Sequence, residues 1–212
     1  MKMFTAELED QLREVFQDLV DDVTIAYFGD GDCYTCSETE SYMEEVEALN
    51  DKIHLKKYEL KTDVAEAAKY NVTMAPSIVI LDSKGEYRGI KFNGIPGGHE
   101  INSFIPALLE VSGAGNSLPK DVMDRIEAID KPVNIKVFIP LSCPHCPGAV
   151  HTAHKLALLN SNVEAEMIEA QTFDELSNRF NVSAVPKIVF NDDKELLGNQ
   201  PIQQFLSTIE AM

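Results

Sequence analysis

A chain of 212 residues is long enough for one large domain or two small ones. Its 44% hydrophobic and 25% charged residues are those of an ordinary globular protein, and its net charge of −17 argues against nucleic acid or an anionic membrane surface as a partner. No apolar run approaches the ~18 residues that a membrane span requires. The first ten residues hold no apolar core of a secretory signal, so a cytoplasmic location is expected.

In chain order, residues 5–20 read as a leading helix and 22–28 as an alternating β-rich strand. A helix is expected over 37–49, a second strand over 53–60 and a short helix over 63–70. Asn71-Val72 then lead to Pro76, the apolar run 77–81, a turn at 82–85 and a β-hairpin. A helix near 100–111 closes this part. The stretch 112–117 is small and polar, as a linker should be.

The same order then repeats. A leading helix over 119–129 has Pro119 suited to its first position. A strand over 132–138, a helix over 148–159, a strand over 163–169 and a short helix over 172–180 follow. Asn181-Val182 lead to Pro186, the apolar run 187–190, a turn at 191–194 and a final helix near 200–209. The predicted order is α-β-α-β-α-β-β-α, twice, with units 1–115 and 116–212. The second copy lacks a counterpart to residues 93–100. Phe92, Phe104 and Phe173 are expected in the core.

All four cysteines fall in two Cys-x-x-Cys motifs, Cys33–Cys36 and Cys143–Cys146, 110 residues apart. Each first cysteine is followed 43 residues later by a proline, Pro76 or Pro186. The spacing identifies one duplicated module. In a cytoplasmic setting Cys-x-x-Cys reads as catalytic or metal-binding before it reads as a structural staple. Two such pairs can in principle build a four-cysteine zinc site. The matched prolines and the repeated topology favour redox chemistry over metal, because duplication puts the motifs at equivalent places on separate units.

A strand, a Cys-x-x-Cys at a helix start and an X-Pro before a hairpin strand resemble the thioredoxin fold. The tandem pair resembles the archaeal protein disulfide oxidoreductase family, which is glutaredoxin-like. The more specific markers are Gly94-Ile95-Pro96-Gly97-Gly98-His99-Glu100, Cys143-Pro144-His145-Cys146-Pro147 with Ala153-His154-Lys155, and Val185-Pro186-Lys187-Ile188. Tyr34-Thr35 departs from the dipeptide expected in the first motif. The resemblance covers essentially the whole chain. It implies an α/β fold of two thioredoxin-like units, each a mixed sheet flanked by helices. It further implies a thiol–disulfide oxidoreductase that reduces, forms or isomerises protein disulfides, with a thioredoxin-reductase-like flavoprotein as electron donor. No organic cofactor and no metal are called for, since the cysteines carry the electrons. One alternative is a dedicated electron carrier to a peroxidase. The two-unit N-terminal domain of some hydroperoxide reductase flavoproteins has this shape, although normally only one of its units keeps the cysteines. The other alternative is a chain-binding module without turnover.

Disulfide exchange needs an attacking thiolate and a resolving thiol. The first cysteine at a helix N-terminus meets unpaired N–H groups and the positive dipole end, so Cys33 and Cys143 are the expected nucleophiles and Cys36 and Cys146 the resolving thiols. The resemblance implies cis bonds at Pro76 and Pro186. The backbones of Ala75 and Val185 would then pair with an extended substrate strand. Pro144-His145 places an imidazole beside Cys143, whereas Asp30, Asp32 and Glu38 crowd the first motif, so the second site is expected to dominate. Glu59 and Glu169, again 110 apart, are candidate proton relays to the resolving thiols.

Overall fold

The computed structural model describes residues 2–115 and 117–212. Met1, and Asn116 within the expected linker, lie outside the described residues. The chain divides into two compact units. One is Met1–Tyr87 with Asn93–Ile95 and Leu108–Gly115; the other is Arg88–Phe92 and Pro96–Ala107 with Asn116–Met212. Among the described residues eight strands form in mixed parallel and antiparallel pairing, flanked by helices.

In the first unit α1 (Ala6–Val15) starts where Thr5 Oγ1 accepts from Leu8 N at 3.2 Å, an N-cap that satisfies an otherwise unpaired donor. It is shorter than the expected 5–20, because a 3₁₀ turn at Phe16–Asp18 replaces its last turn and sends Phe16 into the core. Strand β1 (Val23–Gly29) is central. It runs parallel to β2 (Ile53–Glu59), with Val23 opposite Ile53, and antiparallel to β3 (Ser77–Leu81), with Phe28 opposite Ser77. Helix α2 (Cys36–Glu47) follows β1, and α3 (Val64–Lys69) follows β2. One core cluster gathers Ala26, Phe28, Val79 and Leu81 with Tyr70, and Tyr58 stacks on Phe28 at 4.9 Å between ring centres.

The second unit holds the Arg88–Phe92 stretch of β4 (Tyr87–Asn93), which lies beside β6 (Val163–Glu169) in the strand order β4-β6-β5-β7-β8. Here β5 (Val133–Ile139) is parallel to β6 from Val133 opposite Val163, and antiparallel to β7 (Lys187–Phe190). β7 forms a hairpin with β8 (Lys194–Leu197). Helix α4 (Ile101–Val111) follows a 3₁₀ turn at Gly98–Glu100, and the remaining helices are α5 (Lys120–Glu127), α6 (Cys146–Leu159), α7 (Asp174–Arg179) and α8 (Ile202–Glu210). Pro119 stands at the N-cap of α5, one place before the position expected for it. Phe92 and Phe104 are buried and meet edge to face at 5.3 Å, while Phe173 is half-buried against the Phe138–Ile168–Val189 cluster.

The duplication is visible in backbone detail. Asn71 (φ 53°) and Asn181 (φ 50°) close α3 and α7 in the left-handed region, which asparagine tolerates. In each case the next residue's N–H reaches back five residues to a helix carbonyl, Val72 to Ala67 at 2.8 Å and Val182 to Ser177 at 3.0 Å. Among the described residues no helix is long and apolar enough to cross a membrane.

Candidate functional site

Each Cys-x-x-Cys bridges a strand and a helix. β1 delivers the loop that holds Cys33, and Cys36 begins α2; β5 delivers Cys143, and Cys146 begins α6. Both pairs are disulfides, with Cα atoms 5.3 and 5.5 Å apart, and no described cysteine is free. A two-residue spacing at a helix start places the sulfurs within bonding reach. Cys36, Cys143 and Cys146 are all buried, at 7%, 9% and 0% exposure, whereas Cys33 is half-buried. The outer cysteine of each pair is the one a partner reaches first. Thiol titration should therefore find none in the oxidised protein and four after full reduction. Tight stoichiometric zinc that blocks the titration would contradict this.

The surroundings of the two disulfides differ. At the first, Asp30 N donates to Cys36 Sγ at 3.3 Å and the buried Tyr27 hydroxyl donates to the Cys36 carbonyl at 2.8 Å. Burial, and then the nearby Glu40 and Glu59 carboxylates, push the Tyr27 phenol far up. Asp30 and Asp32 share one cation, Lys61, at 2.9 and 3.0 Å. That lysine holds Asp30 below the usual carboxylate range. Two of the three carboxylates expected to oppose the Cys33 thiolate are thus partly compensated, which sequence reasoning did not foresee. Glu38 remains in the first turn of α2, and Tyr34 is fully exposed beside Cys33.

A cavity of about 450 Å³ opens beside this disulfide, with Cys33, Cys36, Tyr27 and Glu59 among its walls. Glu59 is half-buried, and its Oε1 accepts from Gly31 N at 3.1 Å. Its counterpart Glu169 is buried, and both its oxygens accept backbone N–H groups, from Gln171 at 3.2 Å and Thr172 at 2.6 Å. Glu169 therefore ties down the turn after β6.

At the second site His145 is the N-cap of α6 and is exposed, as is Pro144. The first turn of α6 holds no acidic residue. Ala75–Pro76 and Val185–Pro186 are both cis; the two prolines are buried, Ala75 is half-buried and Val185 is exposed. The 3₁₀ turn at Gly98–Glu100 packs against α6, and His99 N donates to Leu141 O at 3.1 Å, two residues before Cys143. Glu100 is fully buried there. Its Oε2 pairs with the Ser103 hydroxyl, and its Oε1 has no hydrogen-bond partner among the described residues. Burial pushes this carboxyl up to about 7, against a smaller opposing pull from Ser103. Glu100 thus sits in a turn that is tied through His99 to the loop before Cys143 and packs against α6. In the sequence it stood only within the Gly94–Glu100 marker, and no periodicity signalled its burial.

Known proteins share this geometry. A thioredoxin domain family model matches residues 133–211. The alkylhydroperoxide reductase protein AhpF from Enterococcus faecalis has a solved structure that is 32% identical, with a TM-score of 0.93, covering 98% of this chain and 100% of that one. The NTD_N/C domain of the same protein, also 32% identical, gives a TM-score of 0.92 over 97% of this chain and 99% of that one. A protein disulfide oxidoreductase from Aeropyrum pernix, 24% identical, shares the fold with a TM-score of 0.90 over 100% of this chain and 94% of that one. The corresponding alkyl hydroperoxide reductase protein from Staphylococcus aureus is 28% identical over 98% of this chain. The chain spans only 38% of that relative's length. The resemblance to archaeal oxidoreductases is thus one of fold, and the nearer likeness is to AhpF. The chain belongs to the family of tandem thioredoxin-fold modules represented by the N-terminal domain of the alkyl hydroperoxide reductase AhpF, and it is a thioredoxin-like disulfide oxidoreductase with two Cys-x-x-Cys disulfides.

Proposed function

We propose that the chain relays electron pairs from a thioredoxin-reductase-like flavoprotein to disulfides of partner proteins, with Cys143–Cys146 as the dominant exchange site and a thiol peroxidase as the favoured acceptor. The observation that carries the reading is the second site itself. Its outer cysteine is barely accessible, its helix start is free of carboxylates, and Glu100 is buried alongside. Cys143 attacks the partner disulfide. Cys146 resolves the mixed disulfide, and its proton passes to a base. Glu100 supplies that base in this proposal, in place of Glu169, whose oxygens are committed to the backbone. The likeness to AhpF supports a peroxidase as acceptor.

A second reading keeps the broader role of reducing, forming or isomerising disulfides in many proteins. It is favoured by the intact cysteine pair in both motifs and by exposed Val185 beside buried Pro186, where the backbones of Val185 and, in the first unit, Ala75 would align a substrate strand. The repeat 1–115 and 116–212 is part of the same proposal, supported by the 110-residue register of motifs, prolines and helix-capping asparagines. Peroxide-dependent oxidation of a pyridine nucleotide, with a flavoprotein reductase and a thiol peroxidase added, tests the first reading. Insulin reduction by dithiothreitol, with and without the protein, tests the second. Activity in neither assay would leave only a chain-binding module.

His145→Ala should raise the pKa of the reduced Cys143 thiol and lower the potential of its pair, because it removes a partial positive charge at the helix start. Ultraviolet thiolate titration of a chain lacking Cys33 and Cys36 reads the change. No movement in either quantity would assign the tuning to burial.

A further inference from the structure

The two redox sites stand in one 110-residue register, and a cavity opens beside the first. The 110-residue register shows what changed. Tyr27 and Gly29 share one face of β1, and the tyrosine hydroxyl lies where a Cβ at Gly29 would stand 2.8 Å away. Their counterparts are Val137 and Ile139, both completely buried. Lys57, at the mouth of the cavity, corresponds to buried Met167, and Glu40 corresponds to buried Val150. Asp63, also in the wall, corresponds to Phe173. The loop position of Gly31 is Leu141 in the second copy, and Gly98–Glu100 packs onto it. At these positions the second site carries apolar side chains, most of them buried, where the first carries polar side chains or glycine.

The cavity also has a definite charge. Its walls hold four carboxylates, Asp30, Glu40, Glu59 and Asp63, against the single ammonium of Lys57. Lys61 pairs with Asp30, and Lys57 pairs with Glu40 at 2.9 Å. No ion pair reaches Glu59 or Asp63 among the described residues. Their remaining contacts are backbone N–H groups, Gly31 to Glu59 and Glu59 to Asp63 at 2.7 Å. A space of about 450 Å³ suits a ligand of small-molecule size next to Cys33 and Cys36.

We propose that the first site exchanges with small disulfides that carry an ammonium group, seated by Glu59 and Asp63, while the second site serves protein partners. This rests on the reading of the chain as a disulfide oxidoreductase. In the reduced protein the Cys33 thiolate attacks one sulfur of R–S–S–R, forming the Cys33–S–S–R bond and releasing R–S⁻. The Cys36 thiolate then attacks the Cys33 sulfur, which restores the Cys33–Cys36 disulfide and releases the second R–S⁻. The protein loses two electrons and two thiol protons, and the ligand leaves as two thiols. The cysteine pair supplies both electrons, so one turnover needs no other reductant.

The test uses the full chain with Cys143→Ser and Cys146→Ser, prereduced and mixed in single turnover with cystamine, 2-hydroxyethyl disulfide or 3,3′-dithiodipropionate. Each rate is divided by that of free dithiothreitol with the same disulfide, which removes intrinsic reactivity. Cystamine should exceed the neutral disulfide about tenfold at low ionic strength, the dianion should fall below both, and the preference should shrink in salt. Glu59→Gln with Asp63→Asn keeps the acceptors and removes both charges, so the cystamine-to-neutral ratio should fall toward that of dithiothreitol. The ratio is taken within one protein and is insensitive to partial loss of folded chain. Equal corrected rates for the three disulfides, or a preference that the double variant keeps, would overturn the proposal and leave the redox reading standing. A fall of both rates in step would make Glu59 a proton relay and overturn the charge-selective pocket. No reaction with any disulfide would remove the pocket proposal together with a redox role for the first site.

Discussion

Cys143→Ser is expected to lower electron transfer to partner disulfides about a thousandfold or more, whereas Cys33→Ser should retain much of the rate. A serine hydroxyl cannot form the mixed disulfide, so a dominant nucleophile leaves no bypass when it is lost. The inequality expected between the sites follows from their surroundings. Cys143 precedes a helix whose first turn has no carboxylate, with His145 at its N-cap. Cys33 precedes a helix with Glu38 in its first turn, and Asp30 and Asp32 nearby share the one ammonium of Lys61. That ion pair is exposed, so salt screens it and it offsets the carboxylates only in part. The reduced Cys143 thiol should therefore ionise at lower pH than Cys33. A stabilised thiolate favours the dithiol, so the second pair should also have the higher potential, by about 30 mV for each ~1.4 kcal/mol of difference. Single-site variants, titrated optically and equilibrated against a redox buffer, measure both. If Cys33→Ser is the more damaging change, or the first pair has the higher potential, local charge does not rank the sites.

Glu100→Gln should remove a pH dependence from both stability and turnover. The folded carboxyl sits at about 7, against an ordinary value of 4.5, because burial disfavours its charge. The folded chain therefore binds this proton more tightly than the unfolded chain. The sign follows: below the unfolded value the group costs nothing, stability falls as pH rises from there through about 7, and the full cost stands above it. The shift corresponds to about 3 kcal/mol at most. Chemical denaturation near pH 4.5 and near pH 8 should show wild type losing more stability across that window than the variant, by up to this amount. Parallel curves would mean that Glu100 ionises normally. The same substitution should slow resolution of the mixed disulfide at Cys143 about tenfold to a hundredfold and flatten its pH profile near 7. A purely structural role would move stability and leave the profile in place.

Residue spacing alone made the duplication plain. Cys33 and Cys143, Pro76 and Pro186, and Asn71 and Asn181 keep one register because each answers a local demand: a helix start, an X-Pro before a strand, a left-handed cap. Strand and helix order were legible for the same reason, since hydrophobic periodicity and turn residues act over a few neighbours. The length of α1 was not, because its last turn yields to a 3₁₀ turn that buries Phe16. Glu59 and Glu169 looked equivalent in the sequence. The fold leaves one beside a cavity and spends the other on the N–H groups of Gln171 and Thr172. Glu100 gave no sign of being a titrating group, because its altered pKa comes from burial and close packing by α6 and its own turn. Lys61 reaches Asp30 and Asp32 only once β1 and β2 are paired. The chemistry of the cysteines was thus written in short-range pattern. The unlike dipeptides and acidic neighbours already set the two copies apart in the sequence, but desolvation, cavity shape and charge pairing arise from residues distant in the chain, so those differences came only from the tertiary structure.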